Sequence, residues 1–290
     1  MAMKSKVYFT SEITPEAVLK LYKRLRKPLP GKVAIKVHSG EPGNQNFLRP
    51  DFWKPMVDHV GGTIVECNTA YTGGRHDKKH HMETFQKHGW LAYFPVDLLD
   101  AEGPDLALDI PGGKVLSKNY VGKDIVNYES TLILSHFKGH PMGGFGGAVK
   151  QLSIGYASAY GKKNIHGAGN PEDPWGAKTE DFMRAMAESA KSVADFFGGK
   201  AVYINVMKNL SVDCDCCSVA EDPCMKDIGV LISTDPVAID QACVDLIYAS
   251  KDPGRDHMVE RIESRKGILT LEAAEEIGLG NRDYELFFEG

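Results

Sequence analysis

Four of the six cysteines, Cys214, Cys216, Cys217 and Cys224, fall in the single segment from 214 to 224. In an extended stretch Cys214 and Cys216 point to one side and Cys217 to the other. The Cys-x-Cys pair can therefore hold one metal ion or one corner of a cluster. Cys217 joins only if the chain turns there, and Cys224 is near enough to return as a third or fourth ligand. Thiolates suit zinc, copper(I) or iron–sulfur clusters. The spacing is neither the repeated C-x-x-C of a zinc ribbon nor the ferredoxin run, so an iron–sulfur cluster and a thiophilic ion such as zinc or iron both stay open. A reduced cysteine-rich loop without metal is the alternative.

A second constellation is His136-Phe-Lys138-Gly-His140-Pro-Met-Gly143-Gly144-Phe-Gly146-Gly147-Ala-Val-Lys150. It directly follows an apolar run that reads as a buried strand, and open α/β sheets place their ligand crevices at such ends. His136, Lys138 and His140 share one side if the chain stays extended. The four glycines would let backbone N–H groups approach an anion, with Lys150 adding charge. The segment lacks the Walker spacing. In catalytic terms His136 or His140 would act as acid or base, Lys138 and Lys150 would hold or polarise an anionic group, and Arg75 would orient it. Arg75 follows Gly73-Gly74 in another strand-end loop, which also leads to His76, His80 and His81; His76 and His80 read best as a solvated helix face. Glu41 and Asn44, in the loop after residue 37, could add an acid and an amide. Asp235, ahead of Pro236, reads as a helix cap, and Asp240 follows in that helix.

These loops need a scaffold. Residues 15–27, 50–60, 77–88, 180–197, 236–249, 258–266 and 271–277 have helical spacing, several with capping residues before and glycine after. Residues 32–37, 63–67, 130–135, 202–207 and 229–233 read as buried strands, and 97–128 as short strands or a hairpin. The alternation predicts an α/β fold, a mostly parallel or mixed sheet flanked by helices with strand-end loops forming the site. No linker fixes a boundary, so residues 1–290 read as one integrated domain, with two interlocked lobes (1–130 and 131–290) as the alternative.

The 34 basic and 39 acidic residues leave a formal charge of −5 without a basic block, which argues against nucleic-acid or anionic-membrane binding. No apolar stretch exceeds strand length, so neither a signal peptide nor a membrane span is expected and the location reads as cytoplasmic.

The stretches IVECNTAYTGGR (64–75), SHFKGHPMGGFGGAVK (135–150), IGYASAYGKKNIH (154–166), SVDCDC (211–216) and DIGVLISTDPVAIDQACVDLI (227–247) together resemble the bacterial and archaeal family called domain of unknown function 362. The resemblance spans nearly the whole chain. It implies an α/β fold and a metal or iron–sulfur role, and it supplies no reaction. Residues matching the family pattern are Cys67, Arg75, His81, His88, His136, Lys138, His140, Lys150, His166, Cys214, Cys216, Asp235, Asp240 and Cys243. Many relatives carry a ferredoxin module after the position of His166, where this chain has GAGNPEDPWGAK. With only Cys214 and Cys216 general to the family, a shared centre would need His136, His140, His166 or Cys243 to complete it.

The expectation is a cytoplasmic metalloprotein of an anaerobe, with a thiolate-held metal or cluster beside a Gly/His/Lys pocket for a small anionic molecule, and a redox partner protein if the role is redox. A metal-free enzyme on a phosphate- or carboxylate-bearing molecule and a metal carrier or assembly factor are the alternatives.

Overall fold

The computed structural model describes residues 4–289. In chain order the strands are β1 (Ser5–Thr10), β2 (Val33–Lys36), β3 (Thr63–Glu66), β4 (Val96–Leu98), β5 (Leu106–Asp109), β6 (Lys118–Val121), β7 (Ser130–His136), β8 (Lys138–His140), β9 (Gly144–Gly146), β10 (Ala201–Met207), β11 (Gly229–Ser233) and β12 (Tyr284–Phe288). The helices are α1 (Pro15–Leu25), α2 (Pro50–Val60), α3 (Lys78–Lys87), α4 (Ala148–Ser153), α5 (Ala159–His166), α6 (Thr179–Phe197), α7 (Pro236–Ala249), α8 (Arg255–Ser264) and α9 (Ile268–Glu276).

Eight strands form one mixed sheet in the order β12-β1-β11-β10-β7-β2-β3-β4. It is parallel except where β11 runs antiparallel to both β1 and β10. Both faces are covered, which is why the central strands read as unbroken apolar runs. Along β7, Ile133 faces one core with Tyr156, Ala190 and Val193, while Leu132 and Leu134 face the other with Val18, Trp53 and Met56. The expected α/β architecture is thus present, and 97–128 does contain an antiparallel pair, β5 with β6. The edge strand β12 and its neighbour β1 were not anticipated, because their alternation is interrupted by lysine and glutamate. Among the described residues, no helix is long and apolar enough to cross a membrane.

The parallel strands lead away from the β2/β7 junction in both directions, β3 and β4 on one side and β10 on the other. Such a switch point opens a crevice beyond the carboxyl ends of the strands. The loops after β2, β3, β7 and β10 leave from those ends and carry His38, Arg75, the glycine-rich segment and the cysteines.

The glycines were expected to present N–H groups to an anion, and the backbone of three of them is used otherwise. Gly144 and Gly146 belong to β9, which pairs with β8, and the Gly143 N–H donates to His140. The N–H groups of Ala148 and Val149, at the start of α4, both go to the buried Asp240 carboxylate at 2.7 and 2.9 Å. A Cβ at Gly147 would lie 2.3 Å from Asp240 Oδ1, so this position must be glycine for the carboxylate to reach the helix end. Asp240 therefore tethers α7 to the helix that carries Lys150, and Asp235 caps α7 through Val237 and Ala238 as expected.

Burial pushes the Asp240 carboxyl up to about 6, against the pull of its N–H donors. A raised folded-state value means the native state holds this proton more tightly than the unfolded chain between about pH 4 and 6, so the stability it contributes declines as pH rises through that window. Asp240→Asn cannot titrate. Denaturant unfolding across pH 4–7 should show wild type losing on the order of 3 kcal/mol relative to the variant between pH 4 and 6.5. A pH-independent difference would contradict this assignment.

Candidate functional site

The cysteine segment reaches the strand ends through close backbone contact. Gly139, in the middle of β8, donates its N–H to the Ser211 carbonyl at 2.8 Å, and a Cβ there would lie 2.3 Å from the Val212 carbonyl oxygen. Asp215, the residue between Cys214 and Cys216, is buried against two basic side chains. His136 Nδ1 lies 3.0 Å from each of its carboxylate oxygens, and Lys138 Nζ lies 3.0 Å from Oδ2. The other ring nitrogen of His136 faces the Lys208 carbonyl, so the imidazole satisfies both neighbours only by donating from both nitrogens. Lys138 also donates to the His136 carbonyl at 2.9 Å. The two bases hold Asp215 well below the usual carboxylate range despite burial, and Asp215 in turn leaves Lys138 raised.

The loop after β2 closes over the segment. The Glu41 N–H donates to the Asp215 carbonyl at 2.8 Å, and Asn44 Nδ2 to the Cys217 carbonyl at 2.8 Å. His136 and Lys138, expected as acid/base and anion holder, are thus committed to positioning the cysteines.

In the latched segment His140, Cys214 and Cys216 each offer a ligand atom, all within 4.8 Å of one another. Two sulfurs and an imidazole are donors suited to a thiophilic ion. The ring orientation adds a distinction. His140 Nδ1 accepts from the N–H groups of Met142 and Gly143 at 3.2 and 2.8 Å, which leaves the ring proton on Nε2, hydrogen-bonded with Cys214. His140 is therefore placed to support a sulfur ligand more than to bind through its own lone pair.

The remaining thiols differ in position. Cys217 touches Cys216 and lies outside the group; Cys224, a candidate ligand by spacing, donates to the Leu210 carbonyl at 3.3 Å instead. Cys243 sits in the core beside Asn205, and Cys67 donates to the Tyr156 carbonyl. Lys150 and Lys138 act to lower the Cys214 thiol. The hydrogen bond with Cys216 and burial instead push Cys214 up to about 11, and Cys216 is also raised.

The group borders a cavity of about 190 Å³. Its charged lining is Lys36, Arg75, Lys150 and Lys162 against Glu66, while Met142, Ile154 and Trp175 supply apolar walls. Arg75, expected to orient an anion, is already held by Glu41 at 2.9 Å and Glu66 at 3.5 Å. Lys162 donates to the Ala157 carbonyl at 2.6 Å, and Lys36 to the Val37 carbonyl; burial lowers Lys36 to about 8. Lys150 makes no hydrogen bond or ion pair with the described residues, so its half-buried ammonium is available to a cavity occupant.

His166 presents the complementary atom. Its Nδ1 donates to the Lys162 carbonyl at 2.7 Å, which leaves Nε2 unprotonated and open to the cavity, and burial lowers the ring to about 4. Lys150 and Lys162 add to that lowering.

Glu66, Lys36, Lys162, Gly139 and Asp215 escaped the sequence reading. Lys36 and Glu66 lie inside apolar strands, and Asp215 was hidden between two more conspicuous cysteines. The half-buried His76, Asp77 and His80 form a separate trio in which Asp77 caps α3 and bonds both rings, as a surface helix start would.

The sequence profile of the family described as Domain of unknown function (DUF362) matches residues 33–245. No curated protein matches the chain. Among solved structures, the chain is similar to the lactate racemase apoprotein from Thermoanaerobacterium thermosaccharolyticum, with TM-score 0.42 and 16% identity over 69% of this chain and 50% of that one. It is also similar to a protein from Thermotoga maritima, with TM-score 0.42 and 14% identity over 90% of this chain and 58% of that one. The chain thus spans between half and three-fifths of the length of either.

Lys138→Met should leave the buried Asp215 carboxylate short of one partner and cost about 3–5 kcal/mol in denaturant unfolding. Alkylation of Cys216 in the folded variant should be faster as the segment loosens. Stability within 1 kcal/mol of wild type, on the order of a surface ion pair, would count against the latch.

Proposed function

The chain belongs to the DUF362 family, and on that premise we propose that it is a metal-binding protein that holds a small anionic molecule beside the metal. The observation carrying this reading is the meeting of the Cys214/Cys216/His140 group with a cavity lined by four cations and one carboxylate. Cys214 and Cys216 would hold the ion, with the His140 N–H supporting the Cys214 sulfur. A small set of sulfur donors suits a single zinc or iron ion better than a cluster with four protein ligands. A bound ion would supply Lewis-acid polarisation to an oxygen of the cavity's occupant.

Chain residues account for the rest. Lys150 holds the anionic group, while Met142, Ile154 and Trp175 pack against its carbon skeleton. His166 accepts a proton at Nε2, and an anion bound beside Lys150 offsets the cationic field that now disfavours protonation of that ring. A metal-free binder of small anions is the second reading, favoured by the raised Cys214 thiol.

Anaerobically purified protein titrated with zinc or ferrous iron should bind one equivalent. Cys214→Ser and Cys216→Ser should abolish that binding, Cys224→Ser should keep it, and His140→Gln should weaken it by about ten- to a hundredfold. Full metal occupancy in both Cys214→Ser and Cys216→Ser would refute the metal reading. Anion binding that survives complete chelation would select the metal-free one.

A further inference from the structure

Beside the main cavity lies a pocket of about 20 Å³, lined by Ser135, His136, Lys138, Gly146, Gly147, Cys214 and three residues shared with the cavity, His38, Lys150 and Gln151. Two buried polar atoms of its lining residues, Ser135 Oγ and Gln151 Nε2, have no hydrogen-bond partner. Ser135 is 3% and Gln151 9% exposed. Two orphaned groups lining one small space is an arrangement a folded chain rarely keeps, because each buried polar group left unpaired costs on the order of 1–3 kcal/mol. The Lys150 ammonium, itself without a protein partner among the described residues, borders the same space.

We propose that this pocket is the oxyanion subsite of the cavity, where Ser135, Gln151 and Lys150 take one carboxylate oxygen, so that the anionic molecule is a small carboxylic acid. The proposal rests on the anion-binding reading above and narrows it. Ser135, Gln151 and Lys150 line the same pocket, and the carboxylates beside it are already engaged, Asp215 by His136 and Lys138 and Asp240 by Ala148, Val149 and Asn205. The volume admits one oxygen-sized group, since one water needs on the order of 10–15 Å³. A planar carboxylate can place one oxygen there and leave its only other oxygen in the main cavity, whereas a phosphoryl group would leave two or three there. Several backbone donors beside the pocket are already occupied: the Gly143 N–H by His140, and those of Ala148 and Val149 by Asp240.

The test uses the metal-loaded full chain and ligand-observed NMR titrations with acetate, its neutral analogue acetamide, and inorganic phosphate as a competitor. Acetate should bind saturably, acetamide should not, and phosphate should displace acetate poorly. Ser135→Ala and the near-isosteric Gln151→Met should each weaken acetate about tenfold with unchanged metal content, and Ser135→Thr should retain binding. Acetate affinity within twofold of wild type in the folded Ser135→Ala/Gln151→Met protein would overturn the subsite, leave anion binding intact and make the pocket a water site. Phosphate binding more tightly than acetate would overturn the carboxylate assignment. Failure of both anions to bind wild type would overturn the broader reading as well.

Discussion

The Asp215 carboxylate, clamped between His136 and Lys138, is the contact on which the rest of the site depends. Its neighbours on either side in sequence are Cys214 and Cys216, so fixing this one residue fixes both sulfurs. The clamp comes from the end of β7 and the start of β8, and β8 lies flat on the cysteine segment because Gly139 has no side chain. A buried ion pair of this kind adds little net stability compared with an apolar packing, yet losing one partner is costly. Its role here is register: the thiols occupy one position over the strand ends.

From that register the electrostatics of the cavity follow. Lys36, Glu66 and Arg75 form a buried network in the cavity wall in which opposite charges largely satisfy each other. Glu41 ties Arg75 to the loop that also grips the Asp215 backbone, so the network and the latch share one loop. What is left for an occupant is small and specific: the Lys150 ammonium, the His166 lone pair, the thiols, and the unpaired groups of Ser135 and Gln151. Asp240 governs that set from behind, because it anchors the short helix carrying both Lys150 and Gln151.

Much of the fold was legible because two-sided burial writes continuous apolar runs and helix ends write capping residues. Asp235 caps its helix in the structure as its place ahead of Pro236 suggests, and Thr14 and Asp77 cap α1 and α3. The convergence of Cys214 and Cys216 with residues 136–150 was also readable, since both follow strands whose ends meet in an α/β sheet. The division of labour within the site was not. Whether a lysine faces an anion pocket or a buried aspartate depends on a partner some 77 positions away, as Lys138 and Asp215 illustrate. Glycines that suggest an anion cradle equally suit a hairpin and a helix start, and only the neighbouring Asp240 decides between them. Ser135 and Gln151 carry no signal of their own, since what marks them is the lack of a partner in three dimensions.

X-ray absorption at the metal edge of the zinc-loaded wild-type protein tests the central claim most directly, because it counts sulfur neighbours around the ion. Two sulfurs at about 2.3 Å, with nitrogen or oxygen donors at about 2.0–2.2 Å completing the shell, is the result the structure predicts. A shell without sulfur, or one of four sulfurs that draws in Cys217 and Cys224, would contradict it.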